Sequence, residues 1–280
     1  MIPFDERTIE AISTGLSDGG SIVFVTGAGI SAESGIRTYR GEDGMWTTDG
    51  AAAMSKATLA YFSRYPERSW QWHLDRRVEV LRAEPNAAHL GLVQLERVLG
   101  DRFALITQNV DRLHIRAGNS TRRTVEIHGH YGGMRCTAGC TGIVPIPTEF
   151  DAWSGESSWP ELRDLLVCPQ CGFATRPHVL WFDEFYDEAN YRMKTAGSLA
   201  ARASLCVTVG TSGGVPVAAR LAEIAAKAGA VLIDVNPTDG DLRRLALRSP
   251  GGAAMPAPAS EAIPAIMSVV ESQNRGASRI

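Results

Sequence analysis

The chain reads as an α/β protein: a doubly wound parallel-sheet (Rossmann-like) domain with a smaller cysteine-bearing module and a helical insertion. Three observations predict this. Short apolar, β-branched runs recur at Ser21–Val25, Phe103–Ile106, Val179–Phe182, Leu205–Val209 and Ala230–Val235, with Val125–Ile127 a shorter candidate. They lack strict alternation, as strands of a parallel sheet covered on both faces do. Helix-like stretches separate several of them, notably Val217–Ala228 with Leu221 and Ile224 on one face, which is the pattern of a doubly wound domain. The first run then breaks into Gly27-Ala28-Gly29, a strand feeding a glycine turn.

Asp5–Leu16, ahead of the first run, is an amphipathic helix with Ile9, Ile12 and Leu16 on one face. From Gly41 to Ala83 the pattern changes: Trp46, Tyr61, Phe62, Tyr65, Trp70 and Trp72 stand among many charges. This segment reads as short helices laid over the mouth of the main domain. Pro85-Asn86 opens a firm helix with Leu92, Leu95 and Leu99 inward. The main domain is expected from 1–40, 85–130 and 178–280, the insertion over 41–84 and the small module over 131–177. Gly251–Ser260, GGAAMPAPAS, carries no fold signal, and Gln273–Ile280 reads as a loose tail.

Composition sets the bounds. With 280 residues, 44% hydrophobic and 21% charged, the chain is long enough for one large core plus a smaller unit. A formal net charge of −3 gives no reason to expect attraction to nucleic acid or an anionic membrane. The start of the chain lacks the apolar core of a secretory signal, and no run reaches the length of a membrane span. A cytoplasmic protein is the expectation.

The ends of the apolar runs carry the functional signal. They read Thr26-Gly27-Ala28-Gly29, Thr107-Gln108-Asn109, His128-Gly129, Gly210-Thr211-Ser212 and Asp234-Val235-Asn236. Ligands of open parallel sheets bind beyond the carboxyl ends of the strands. Loops are polar in any protein, but these five place glycines, amides, hydroxyls and an imidazole on one edge. Gly27-x-Gly29-x-x-Ala32 also fits the dinucleotide fingerprint. Its small residues and backbone amides, with Arg40 close behind, suit a phosphate.

Cys136-Thr-Ala-Gly-Cys140 and Cys168-Pro-Gln-Cys171 form two close pairs. Thiolates so spaced suit tetrahedral zinc, each pair supplying one knuckle. Four cysteines close the coordination sphere, which makes the metal structural. The residues between the pairs are rich in Pro and Gly, so this zinc-binding module is expected to need its metal to fold. Cys206, inside an apolar run, reads as a buried small hydrophobe.

Together these motifs resemble the sirtuins, NAD-dependent protein-lysine deacylases. The resemblance rests on GAGISAESGI, TQNVDRLH, the IHG around His128, the cysteine pairs, GTS and the late VN. It runs from the first strand to about Asn236. It implies NAD and Zn(2+) as the bound groups and acyl-lysine proteins or peptides as substrates. It implies that Gly27, Ala28, Gly29 and Arg40 hold the cofactor phosphates, with Gly210, Thr211 and Ser212 on the adenosine side and Asn236 at the adenine ribose. Gln108 and Asn109 would orient the nicotinamide ribose, while Ile30 and Asp111 would line the nicotinamide pocket. His128 would be the general base. The stretch from Val179 through Phe182 to Glu184 would pair with the substrate backbone.

The chain departs from that family in places. Arg37 and Tyr39 stand where proline and phenylalanine are usual, and Asp183 where glycine is. In the acyl pocket, members that prefer acidic acyl groups carry a small residue, a tyrosine and an arginine. The corresponding positions here are Glu42, His73 and Arg76. Glu42 could pair with Arg76 and neutralise it, or narrow the pocket, and Arg76 also reads as an exposed helix charge beside Asp75 and Glu79, so acyl preference is left open. His89 reads as structural, and His114 and His130 have no assigned role. Three other functions compete. A dehydrogenase would need an acidic residue ending a second strand about twenty residues on; Asp49 has that spacing, but Met45–Ala53 is not a credible strand. A mono-ADP-ribosyltransferase or NAD glycohydrolase would use the same pocket. A non-catalytic NAD-binding module is disfavoured by Asn109, Asp111 and His128 occurring together.

Overall fold

The computed structural model describes residues 5–38 and 50–277. The expectations for Tyr39, Arg40, Glu42 and Trp46 lie outside the described residues. Six strands form a parallel sheet in the order β3-β2-β1-β7-β8-β9. They are β1 (Ser21–Thr26), β2 (Phe103–Thr107), β3 (Thr124–Glu126), β7 (Ala203–Val209), β8 (Val231–Val235) and β9 (Ala253–Met255). The direction of winding reverses between β1 and β7, the two most central strands.

Strand periodicity sorts the side chains into two layers. From β1, Ile22 and Phe24 join Leu105, Val207 and Ile233 on one face, packed by Leu92, Leu95, Ile263 and Ile266. Val23 and Val25 join Ile106, Cys206 and Leu232 on the other, packed by Leu221 and Ala225. Cys206 is fully buried there, as expected. The helix Ala87–Leu99 begins at Asn86, whose side chain accepts from the Ala88 amide while His89 reaches back to the Asn86 amide, a reciprocal cap.

Several expectations are corrected. Val179–Phe182 is not a strand of the parallel sheet. The strand here is β6 (Thr175–Val179), antiparallel to β4 (Gly129–Cys136) in a separate three-stranded sheet with β5 (Ile143–Pro145). An apolar run buried on both faces looks the same in either sheet. Ile9 does not face the core: it is 42% exposed, and the helix Glu6–Ser17 buries Thr8, Ala11, Ile12 and Gly15 instead. The GGAAMPAPAS stretch supplies the edge strand β9, and most of the supposed tail continues the helix Ala259–Ala277. In the insertion, the last helix, Pro66–Arg82, is long.

The small module is also less poor in core than its prolines and glycines suggest. Tyr131, Met134, Phe150, Trp153, Trp159 and Trp181 form a third apolar cluster with Phe62, Trp70, Leu74 and Val80 of the insertion. Polar contacts stitch the same boundary: Trp70 Nε1 donates to the Thr175 carbonyl, Trp153 Nε1 donates to Asp75 at 2.8 Å, and Arg77 pairs with Asp151. Neither segment completes this core without the other.

Candidate active site and zinc site

The loops after β1 and β7 cross where the winding reverses. Gly29 donates its amide to the Gly210 carbonyl at 2.8 Å, and Gly27 donates to Val209 at 3.0 Å. A Cβ on Gly29 would lie 2.7 Å from the Gly210 oxygen, and one on Gly210 would collide with the Ile30 amide. Gly210 is also in the left-handed region, with φ of 57°. These glycines therefore serve by letting two backbones touch. This corrects one expectation: the Gly27 and Gly29 amides bond within the protein and do not act as free anion donors. Ala28, which opens the short helical segment Ala28–Ser34, does line the cavity next to this crossing.

Beyond β2, Gln108 donates through Nε2 to Thr211 Oγ1 at 3.1 Å, which ties the β2 and β7 loops together. Asn109 Nδ2 donates to Ser31 Oγ at 3.0 Å, and Ser31 Oγ donates to Asp111 Oδ2 at 2.7 Å. Asp111 also accepts from the Leu113 amide at 2.9 Å. All three side chains are buried. Burial raises the Asp111 pKa above the usual carboxylate range, with the Leu113 and Ser31 hydrogen bonds opposing. Asn236 Nδ2 donates to the Thr211 carbonyl. Ser212 accepts from the Gly214 amide at the same rim.

One cavity is lined by Ala28, Ser31, Ile36 and Arg37 after β1, by Asn109, Val110 and Asp111 after β2, by Arg76, Glu79 and Val80 of the helix Pro66–Arg82, and by Tyr131. Ser31 and Tyr131 were not singled out from sequence. Ser31 was available as the hydroxyl in GAGIS, whereas nothing marked Tyr131. Arg76 Nη2 pairs with Glu79 at 3.0 Å, and its Nε and Nη1 are buried with no hydrogen-bond partner among the described residues. His73 does not line this cavity. It is 2% exposed, with Nδ1 on the Ser69 carbonyl and Nε2 accepting from Trp181 Nε1, so it belongs to the third core. Val179 is buried in that core and Phe182 is half exposed. Ile30 is fully buried beneath the loop.

His128 comes just after β3. Its Nδ1 lies 2.8 Å from the Gln108 carbonyl, and its Nε2 lies 2.8 Å from the Tyr186 hydroxyl. A carbonyl only accepts, so Nδ1 carries the proton and Nε2 is the acceptor. Burial lowers its pKa to about 4, with the Gln108 bond opposing, so the ring is neutral at physiological pH. Gly129 must be glycine: it has φ of 74°, and a Cβ would run into the His178 carbonyl. The Leu180 amide donates to the His128 carbonyl, fastening the end of β6 beside the ring. His89 and His114 lie with their rings 4.8 Å apart beneath the β1 loop, with His114 on Thr26.

All six histidines are held below the ordinary imidazole value of 6.5, mainly by burial: His73, His89, His128 and His178 to about 4, His130 to about 3, and His114 in the same direction. The unfolded chain binds more protons at these sites, so their contribution is whole above pH 6.5 and is lost as pH falls toward 4. Glu126, raised to about 7, Asp234, raised to about 6, and Asp111 act in the opposite sense, but three carboxyls do not offset six imidazoles. The urea midpoint should fall steadily over this window. A flat midpoint would show that the histidines are not buried neutral.

The four cysteines come together. Cys136, at the end of β4, and Cys140 meet Cys168 and Cys171, with Sγ separations of 3.1–3.6 Å for four of the pairs and all four Sγ within 4.8 Å of one another. All are free thiols, too far apart for a disulfide. Tetrahedral zinc at about 2.3 Å from each sulfur would set them about 3.8 Å apart. The four cysteines are positioned to bind zinc.

Comparison with known proteins gives one answer. The profile described as "Sir2 family" matches residues 27–217. An "NAD-dependent protein deacylase" of Pyrococcus furiosus is 37% identical over 248 residues, covering 88% of this chain and 94% of that one. An Aeropyrum pernix protein of the same description is 42% identical over 217 residues, covering 77% and 80%. A solved structure of a Sir2 homologue in complex with NAD superposes with a TM-score of 0.77 at 32% identity, covering 96% of this chain and 95% of that one.

Proposed function

Because this chain belongs to the Sir2 family and is an NAD-dependent protein deacylase, we propose that His128 is its general base and that acyl-lysine removal yields nicotinamide and O-acyl-ADP-ribose. The observation that carries this reading is the neutral, Nδ1-protonated ring whose Nε2 lone pair stands at the strand-end rim. Bound NAD supplies an electrophilic sugar carbon once its bond to nicotinamide breaks.

Everything else is the work of this chain's residues. The Gly27–Gly29 and Gly210 crossing leaves a side-chain-free surface against which the phosphates would lie, with Arg40 as their countercharge. Thr211, Ser212 and Asn236 take the adenosine half. Gln108 and Asn109 orient the nicotinamide ribose. Ile30, Ser31 and Asp111 shape the nicotinamide pocket, where the Asp111 carboxyl has lone pairs left for a carboxamide. His128 Nε2 draws a proton from a ribose hydroxyl. The substrate backbone would run beside Val179–Glu184, where the amides of Leu180, Trp181, Phe182 and Glu184 are already bonded within the protein, to His128, Glu184, Ala57 and Trp181. Mass spectrometry of an acyl-peptide panel, with and without NAD, tests this. Acyl loss coupled to nicotinamide release supports it, and NAD hydrolysis without peptide deacylation would favour a glycohydrolase instead.

The acyl group is read by Arg76 in this proposal. Two of its nitrogens are buried with no partner among the described residues, which favours an acyl chain ending in a carboxylate unless Glu42 pairs with them; Arg37 lines the same cavity and His73 does not. Arg76→Met should lower the ratio of succinyl to acetyl turnover by roughly tenfold or more, the scale of a lost charge-assisted hydrogen bond. An unchanged ratio would remove Arg76 from the pocket. As domains, we propose an NAD-binding unit interrupted by the insertion 41–84 and a zinc module spanning all of β4 to β6. No helix among the described residues is long and apolar enough to cross a membrane. Free thiols set for metal suit a reducing compartment, and a cytoplasmic site of action belongs to the same proposal.

A further inference from the structure

Nothing in the motifs called for a tyrosine beside the base, yet Tyr186 donates its hydroxyl to His128 Nε2 at 2.8 Å. The contact is built. Tyr186 lies in the stretch between β6 and the helix Glu188–Tyr191, and its ring packs against the second core layer. Two residues before it, Glu184 is held by Arg176 at 2.6 and 2.8 Å and by the Trp181 amide. The next residue, Asp187, caps the adjoining helix through the Asn190 amide. The phenol is therefore set in place from both sides. Among the described residues, the groups hydrogen-bonded to the His128 ring are the Gln108 carbonyl from the β2 loop and this phenol from the β6 side.

An imidazole nitrogen has one lone pair and accepts one strong hydrogen bond. Building on His128 as the base, we infer that Tyr186 is a positioning residue: it orients the base and occupies its lone pair, so that a ribose hydroxyl gains Nε2 only by displacing the phenol. The displaced O–H keeps its proton, and the ribose proton passes to Nε2. Substrate turnover then carries a local exchange of hydrogen bonds at the base.

A donor on Nε2 stabilises the neutral ring, so removing it makes the ring easier to protonate. In Tyr186→Phe the apolar ring and its packing remain. The His128 titration, tracked by NMR of 15N-histidine-labelled protein without any cofactor, should move upward by about half a unit to one unit, the worth of one hydrogen bond. The acid limb of kcat/KM should move with it, and kcat/KM above that limb should rise roughly two- to tenfold. Replacing Tyr186 by 3-fluorotyrosine strengthens the donor at nearly constant size and should shift both in the opposite direction. An unmoved His128 resonance in both variants would overturn the contact. A fall in kcat of more than about tenfold with phenylalanine would make the phenol a participant in proton transfer and overturn displacement. The NMR arm needs no activity, so it stands apart from failure of the deacylase reading.

Discussion

His128→Ala should leave a folded protein whose NAD-dependent deacylation is slower by about 10²–10⁴-fold, the usual worth of a positioned base. The structural cost is bounded. Among the described residues the ring makes two hydrogen bonds, to the Gln108 carbonyl and from the Tyr186 hydroxyl, and losing the partner of each costs about 1–3 kcal/mol. Together these stay within the roughly 5–15 kcal/mol that holds a domain together, and circular dichroism checks that the variant is folded. Affinity for NAD, measured by calorimetry, should therefore change far less than turnover, because the glycine crossing and the Asn109–Ser31–Asp111 chain are untouched. The separation between binding and turnover is the diagnostic. A variant that binds NAD normally and deacylates at the parental rate would assign the proton transfer to another group.

The second large effect is on stability. Chelation, or Cys168→Ser, should collapse the zinc module, because structural zinc sites contribute about 10–16 kcal/mol of apparent folding free energy in small domains. The shared third core carries the damage beyond the module. Four of the six tryptophans, Trp70, Trp153, Trp159 and Trp181, are buried in it, and β4 runs directly into the first ligand, Cys136. Loss of metal should therefore expose indole rings in both the module and the insertion, shifting tryptophan fluorescence to the red. The two core layers of the parallel sheet contain none of these residues, so much of the far-ultraviolet signal should survive. Because Arg76 and Val80 sit on the helix that borders both the third core and the cavity, acyl-peptide binding should be lost with the metal. Metal-free protein with parental fluorescence and melting temperature would refute this coupling.

Legibility tracked distance along the chain. The β1 run, the cap at Asn86 and the spacing of the cysteines are local, and each appears in the structure as the residues suggest. His128 was legible because a single imidazole comes after a strand and precedes a glycine that only the left-handed region accommodates. Asp111 and Asn109 were legible through their spacing, while the hydroxyl that links them, Ser31, comes from about eighty residues away. Val179 was misplaced because burial on both faces looks alike in a parallel and an antiparallel strand. The family resemblance is what implies an acyl-pocket position for His73, three residues before Arg76. Residues three apart are neighbours on a helix, but Trp181 Nε1 donates to His73 Nε2 and holds that ring in the core.

The residues alone determined that this chain makes a parallel sheet with polar, glycine-bearing strand ends, carries four thiols spaced to bind zinc and sets an imidazole just past a strand. These rest on side-chain chemistry at short spacing. Only the tertiary structure decided that the glycines meet backbone to backbone, that the insertion and the cysteine-bearing module share one core, and that the Tyr186 hydroxyl lies on His128. Those contacts join segments far apart in the chain, and no local pattern constrains which distant partner fills the space.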